Sequence, residues 1–161
     1  MSGTIFMMMA ANGGVAEQPV EGETGVWLYT SNGGAVVASG MSVTYADGIG
    51  VNYSASFARV CDRGILDGAA VWYWGNLHIS SGGTTTALTV VQNGANATVL
   101  AGGTALNTTV SGGRLYVRGR ASNVVVSGGS LVVSSGGTAL AVASMTGATV
   151  IVSNGGYIEY A

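Results

Sequence analysis

Six Gly-Gly pairs punctuate the C-terminal half of the chain, at Gly82-Gly83, Gly102-Gly103, Gly112-Gly113, Gly128-Gly129, Gly136-Gly137 and Gly155-Gly156. Each is followed by a short run of Val, Leu, Ala, Thr and Ser. Weaker copies at Asn93-Gly94, Gly119-Arg120 and Thr146-Gly147 fill the gaps. Taking every second mark, the steps are 20 residues (82 to 102), 17 (102 to 119), 17 (119 to 136) and 19 (136 to 155). A period in the high teens, split into two half-repeats, describes one supersecondary unit stacked on copies of itself. The expected architecture is a solenoid.

Composition supports an ordered chain of this kind. Of 161 residues, 28 are Gly, one is Pro, none is Lys and only 7% are charged. Disordered chains are poor in apolar residues, whereas 48% of these are hydrophobic. Solubility then falls to Ser, Thr and Asn. With a net charge of −2 and five Arg that form no stripe, nucleic acid is not an expected partner. Cys61 stands alone, so no internal disulfide or metal-ligand spacing exists, and a buried structural thiol is expected. No apolar run is long enough to span a bilayer. The stretch Ile5-Phe6-Met7-Met8-Met9-Ala10-Ala11 has the character of a signal-peptide core but lacks a basic flank, and reads as a first strand or lid.

Three regions follow. Residues 1–24 carry Glu17, Glu21, Glu23, Pro19 and the Met cluster, and read as a cap or leader. Residues 25–79 alternate strand-like pieces with turn signals such as Asn32-Gly33-Gly34 and Asp47-Gly48, as degenerate rungs. Residues 80–161 hold the regular rungs, with strand candidates at 87–91, 97–100, 107–110, 115–117, 123–126, 131–133, 140–143, 149–152 and 157–160. β-Branched residues dominate and no apolar period of 3.6 is sustained, so helix should be nearly absent. Glycine suits corners because it alone takes positive φ without steric cost. Rungs spaced ~4.8 Å apart, seven or eight in number, would build a rod roughly 35 Å long. Val would stack on Val inside, with Thr and Ser stacked outside. The C-terminal strand Tyr157-Ile158-Glu159-Tyr160 carries a charge that could blunt an open edge or pair with a neighbouring chain.

The half-repeats running from Gly102-Gly103-Thr104-Ala105-Leu106 to Gly112-Gly113, and from Gly128-Gly129 through Gly136-Gly137-Thr138-Ala139, resemble the passenger repeats of AIDA-type self-associating autotransporter adhesins. The resemblance covers about residues 80–161, with a looser echo at Gly33-Gly34-Ala35-Val36-Val37. It implies an all-β fold, a single-stranded right-handed parallel β-helix with an N-terminal cap segment. It also implies export through an outer-membrane barrel of a Gram-negative bacterium, and surface display or secretion for adhesion or aggregation. Such proteins carry a C-terminal translocator barrel, and nothing after Tyr160 would form one, so the chain reads as a fragment or a standalone repeat protein. Family members are O-glycosylated on repeat serines by dedicated heptosyltransferases, which would make Ser81, Ser111, Ser127, Ser134 and Ser135 eligible.

Among binding candidates, Trp72 and Trp74 would share one face of a strand while Tyr73 takes the other. Facing outward, the Trp pair would form a stacking platform for a sugar ring; facing inward, it would fill a wide part of the coil. Arg114, Arg118 and Arg120 lie close in sequence, and alternation would put all three on one side of adjacent strands. There they would meet an acidic glycan or a second protomer, or form a solvated face. Asp47, Asp62 and Asp67, with Arg59 and Arg63, could assemble a carboxylate cluster for glycan cleavage, although Asp47-Gly48 and Asp67-Gly68 are ordinary turn dipeptides. His78 is the only histidine, so no His-based catalytic or metal constellation can form, and it reads as an ordinary strand residue. Asn52, Asn96 and Asn107 match the N-glycosylation pattern, for which chance suffices in a repeat rich in Asn and Thr.

The expected function is a non-enzymatic adhesin or aggregation module that needs no cofactor or metal and partners like chains or glycans, without inserting in a membrane. The alternatives are a polysaccharide lyase or glycoside hydrolase on a β-helix, or a structural stalk.

Overall fold

The structure, a computed structural model, describes residues 6–11, 26–31, 35–37, 42–44, 57–60, 65–68, 70–71, 76–90 and 94–161. Among these, every regular element is a strand, and strand pairs run parallel throughout. Phe6–Ala11 pairs with Val26–Ser31 in a small sheet of its own. The other strands wind around one axis. The fold is a right-handed parallel β-helix, the hand that parallel crossovers overwhelmingly adopt.

Three faces make up each coil. Face I is a seven-stranded ladder comprising Ala35–Val37, Phe57–Val60, Asn76–Ile79, Asn96–Val99, Arg114–Val117, Ser130–Val133 and Thr149–Val152. Faces II and III are the two halves of long bent strands, Thr104–Val110, Arg120–Val126 and Thr138–Ser144. Shorter strands extend them: Thr84–Thr86 on face II, Thr89–Val90 and Ala70–Val71 on face III. Numbering coils from Asn76, the face I register advances 20, 18, 16 and 19 residues per coil, through Asn76, Asn96, Arg114, Ser130 and Thr149.

Alternation along each strand sets the core. Leu77, Ala97, Leu115 and Leu131 form one buried column of face I, and Ile79, Val99, Val117 and Val133 form the other. Face II contributes a column of small residues, Thr85, Ala105, Ala121 and Ala139. Face III adds Val90, Val110 and Val126. Each such Val or Leu contributes ~1.5–3 kcal/mol on burial. Val therefore does stack on Val inside. The expectation that threonine stacks outside needs correction, since Thr85 and Thr108 are fully buried with no partner for their hydroxyls. Coil 5 has a neighbour on one side only, and its inward-pointing Val152 is 42% exposed.

Each corner has its own cause. Between faces II and III the chain bends at one residue with positive φ, which is Gly68 (73°) after Ile65–Asp67 but not glycine in the four bends that follow: Ala87 (51°), Asn107 (53°), Asn123 (53°) and Ala141 (50°). The left-handed region costs an L-residue roughly 1–2 kcal/mol, least for Asn, and the long ladders on both sides hold it there. Glycine, expected at corners because it takes positive φ without steric cost, is thus replaced in these four bends. It keeps that place between faces I and II, where Gly82, Gly102, Gly136 and Gly155 all have φ between 77° and 81°. The second glycine of these pairs faces a different constraint. A methyl group at Gly103 or Gly137 would run into the Ile79 or Val117 carbonyl of the preceding coil. The segments Thr84–Thr86 and Thr104–Leu106, directly after two of these pairs, fall outside the sequence-based strand candidates, whereas Tyr157–Tyr160 after Gly155-Gly156 matches one.

Candidate binding surface

Stacking in register turns each outward position into a column running along the rod. On face I, Asn76, Asn96, Arg114, Ser130 and Thr149 form one column, and His78, Thr98, Tyr116, Val132 and Ile151 the next. On face II the first column is Thr84, Thr104, Arg120, Thr138 and Tyr157. Three side-chain bonds link equivalent outward positions of adjacent coils. Asn96 Nδ2 donates to Asn76 Oδ1 at 3.3 Å, and Asn123 Nδ2 donates to Asn107 Oδ1 at 3.0 Å along the II–III bend. The Thr86 hydroxyl donates to the Asp67 carboxylate one coil away. Such bonds hold outward side chains in fixed rows, so a partner meets a pre-ordered surface.

All five eligible serines sit at corners. Ser81 and Ser135, on corner I–II, are exposed, and Ser134 beside them is half-buried. Ser111 and Ser127 occupy the III–I corner, where their hydroxyls reach back to the Val90 and Val110 carbonyls of the preceding coil at 3.4 and 3.5 Å. His78 is a half-buried ladder residue between Arg59 and Thr98. Trp72, Tyr73 and Trp74 lie outside the described residues, as do Cys61, Asp47, Asp62 and Arg63. Among the described residues no group of His, Cys, Asp or Glu could hold a metal ion, and no helix is long and apolar enough to cross a membrane.

The three arginines are divided by the fold. Arg114 opens its face I strand, whereas Arg118 and Arg120 flank the corner that leads to face II. That corner differs from its neighbours. Four residues join faces I and II at 80–83, 100–103, 134–137 and 153–156, but only Arg118 and Gly119 do so in coil 3. The missing pair is the exposed tip of the corner, and its loss opens a notch. Gly82 N–H donates to the Gly102 carbonyl and Gly136 N–H to the Gly155 carbonyl. Coil 3 has no residue at that level to continue the row. An ideal Cβ at Gly102 would lie 2.8 Å from Ser81 Oγ and one at Gly155 2.9 Å from Ser135 Oγ; at Gly136 it would meet only the Arg118 carbonyl, 4.0 Å away.

The notch has a volume of about 360 Å³, and its lining includes Gly102, Thr104, Arg118, Arg120, Gly136 and Thr138. Both arginines are exposed, and among the described residues neither forms an ion pair. Thr104 and Thr138 stand on the coils either side of Arg120, in register with it. Sequence reasoning picked out the two arginines but missed the cleft and its threonines. The signal was present: four residues separate Val99 from Thr104 and two separate Val117 from Arg120.

Comparison with solved structures returned the TibC-catalysed hyper-glycosylated fragment of TibA spanning its residues 55–350, at 24% identity and a TM-score of 0.58. The likeness is one of fold. It covers 96% of this chain and 64% of that fragment, so the chain spans under two thirds of its neighbour's length. No protein-family model and no curated protein matches the chain.

Proposed function

We propose that this chain is an adhesive passenger module, surface-displayed or secreted by a Gram-negative bacterium, which binds like chains or glycans without catalysing a reaction. The observation that carries this reading is the in-register stacking of polar side chains on a rigid solenoid, as in the column Asn76, Asn96, Arg114, Ser130 and Thr149. Single hydrogen bonds to such columns are weak, contributing ~0.5–1.5 kcal/mol net. Repeated along two rigid surfaces, they add avidity without new contact types. The passenger-like repeats at residues 102–139 and the shared fold with the TibA fragment support the same assignment. Because that neighbour is hyper-glycosylated, the corner hydroxyls of Ser81, Ser111 and Ser135 are the favoured acceptors here, being exposed, with Ser127 and Ser134 less accessible.

Cells that display the chain should clump, and the purified protein should sediment as progressively larger species with rising concentration. A concentration-independent monomer, together with dispersed cells, would remove the self-associating reading. Binding on a glycan panel in that case would leave glycan adhesion as the surviving form.

A further inference from the structure

The notch at the short corner of coil 3 suits a ligand of definite charge and size. The geometry points to an anionic saccharide unit, a sugar ring bearing a carboxylate or sulfate, bound in this cleft through Arg118 and Arg120. Guanidinium groups are the preferred partners of planar and tetrahedral oxyanions, because several N–H donors lie in a fixed fork and the charge persists at any physiological pH. Two of them border one cavity. Among the described residues no carboxylate pairs with either, so their charge is available to a ligand. Asp67 is engaged by Thr86 and lies three coils from Arg120 along face II, on the strand Ile65–Asp67.

The remaining lining explains why a sugar, and not merely an ion, is the match. Thr104 and Thr138 place a hydroxyl above and below Arg120, able to donate to or accept from ring hydroxyls. The corner glycines on either side leave the backbone itself as wall, and Gly102 N–H points to a level where coil 3 supplies no corner carbonyl. A volume of about 360 Å³ falls at the small end of the ~300–1,000 Å³ typical of small-molecule sites. One ring fits, with the rest of a polysaccharide passing along the rod surface. This assignment deepens the glycan-binding form of the adhesive reading and is independent of self-association, since a chain that never self-associates could still hold such a unit.

The test uses the soluble chain labelled for NMR, titrated separately with glucuronate, a sulfated monosaccharide, neutral glucose and inorganic sulfate. Affinities on the order of 1 mM are expected for the two acidic sugars, with amide shifts concentrated at Gly102, Gly119 and Gly136. Arg118→Gln with Arg120→Gln should weaken that binding by roughly tenfold or more while leaving the spectrum otherwise native. A second variant inserts Ala-Gly after Arg118, restoring a four-residue corner and filling the notch with both arginines retained. It should lose binding as well, and the arginine variant tests the same site should the insertion fold poorly. Undiminished binding by the filled corner would overturn the cleft, as would shifts that map elsewhere. Equal affinity for inorganic sulfate and the acidic sugars would overturn the saccharide assignment and leave a bare anion site, and no shift with any probe would end the proposal.

Discussion

Corners 134–137 and 118–119 join the same two faces one coil apart, and they show which parts of a corner the solenoid dictates. In the long corner, Gly136 adopts φ of 81° at an exposed tip, and Gly137 tucks beneath the Val117 carbonyl. The short corner dispenses with the tip yet keeps the tucked glycine, since a methyl at Gly119 would strike the Leu100 carbonyl. The inner position is fixed by backbone stacked on backbone at strand spacing, where no side chain fits. The outer position closes a loop over solvent and can vary in length at small entropic cost. Variation is therefore confined to the outside of the coil, which is where a binding feature can arise without disturbing the core.

The most damaging changes should fall on the inner glycines and should be blind to corner length. Gly103→Ala, Gly119→Ala and Gly137→Ala are each expected to lower stability by about 3 kcal/mol or more, because backbone must move to admit the methyl. Urea denaturation reads this directly, and a mild Gly119→Ala beside a severe Gly137→Ala would break the equivalence of the two corners. Deleting Ser135 and Gly136, to copy the short corner, forfeits the Gly136 bond to Gly155 and the turn bond from Gly137 to Ser134. A loss of about 1–3 kcal/mol is expected from those bonds, with the β-sheet circular dichroism signal preserved.

Smaller contrasts sharpen the picture of the notch. Gly102→Ala and Gly136→Ala share the left-handed penalty of ~1–2 kcal/mol. Only the former also crowds a neighbour, Ser81, so its thermal midpoint should fall further. Equal effects would mean that the notch is closed in solution. Asn123→Ala should be the gentlest of the set, at under ~1 kcal/mol. It removes one exposed side-chain bond to Asn107, and Ala87 and Ala141 already occupy the same bend at nearly the same φ. A loss much above that figure would show that the asparagine row braces the bend.

Some of this was open to reading from composition and spacing. The stacked coil, its parallel strands and the inward Val columns follow from the high-teens period and the β-branched runs. The bends at Ala87 and Ala141 left no trace, because alanine has no preference for positive φ and only the ladders on both sides impose it. Thr104–Leu106 precedes the strand candidate at 107–110, yet it is face II of its coil, pinned through Thr104, Ala105 and Leu106 to Thr84, Thr85 and Thr86. The mark at Gly119-Arg120 stood for a Gly-Gly pair one residue out of step. Anchoring on Val99, Val117 and Val133 instead aligns Gly119 with Gly103 and Gly137.

The amino-acid order by itself determined that this chain coils and roughly how far apart its rungs lie, since periodicity and side-chain size are local properties. Only the tertiary structure decided which residues share a level on the rod. Arg118 and Arg120 face a common cavity while Arg114 does not, because register is set by backbone pairing between coils, and a corner missing two residues has meaning only beside the coils that keep them.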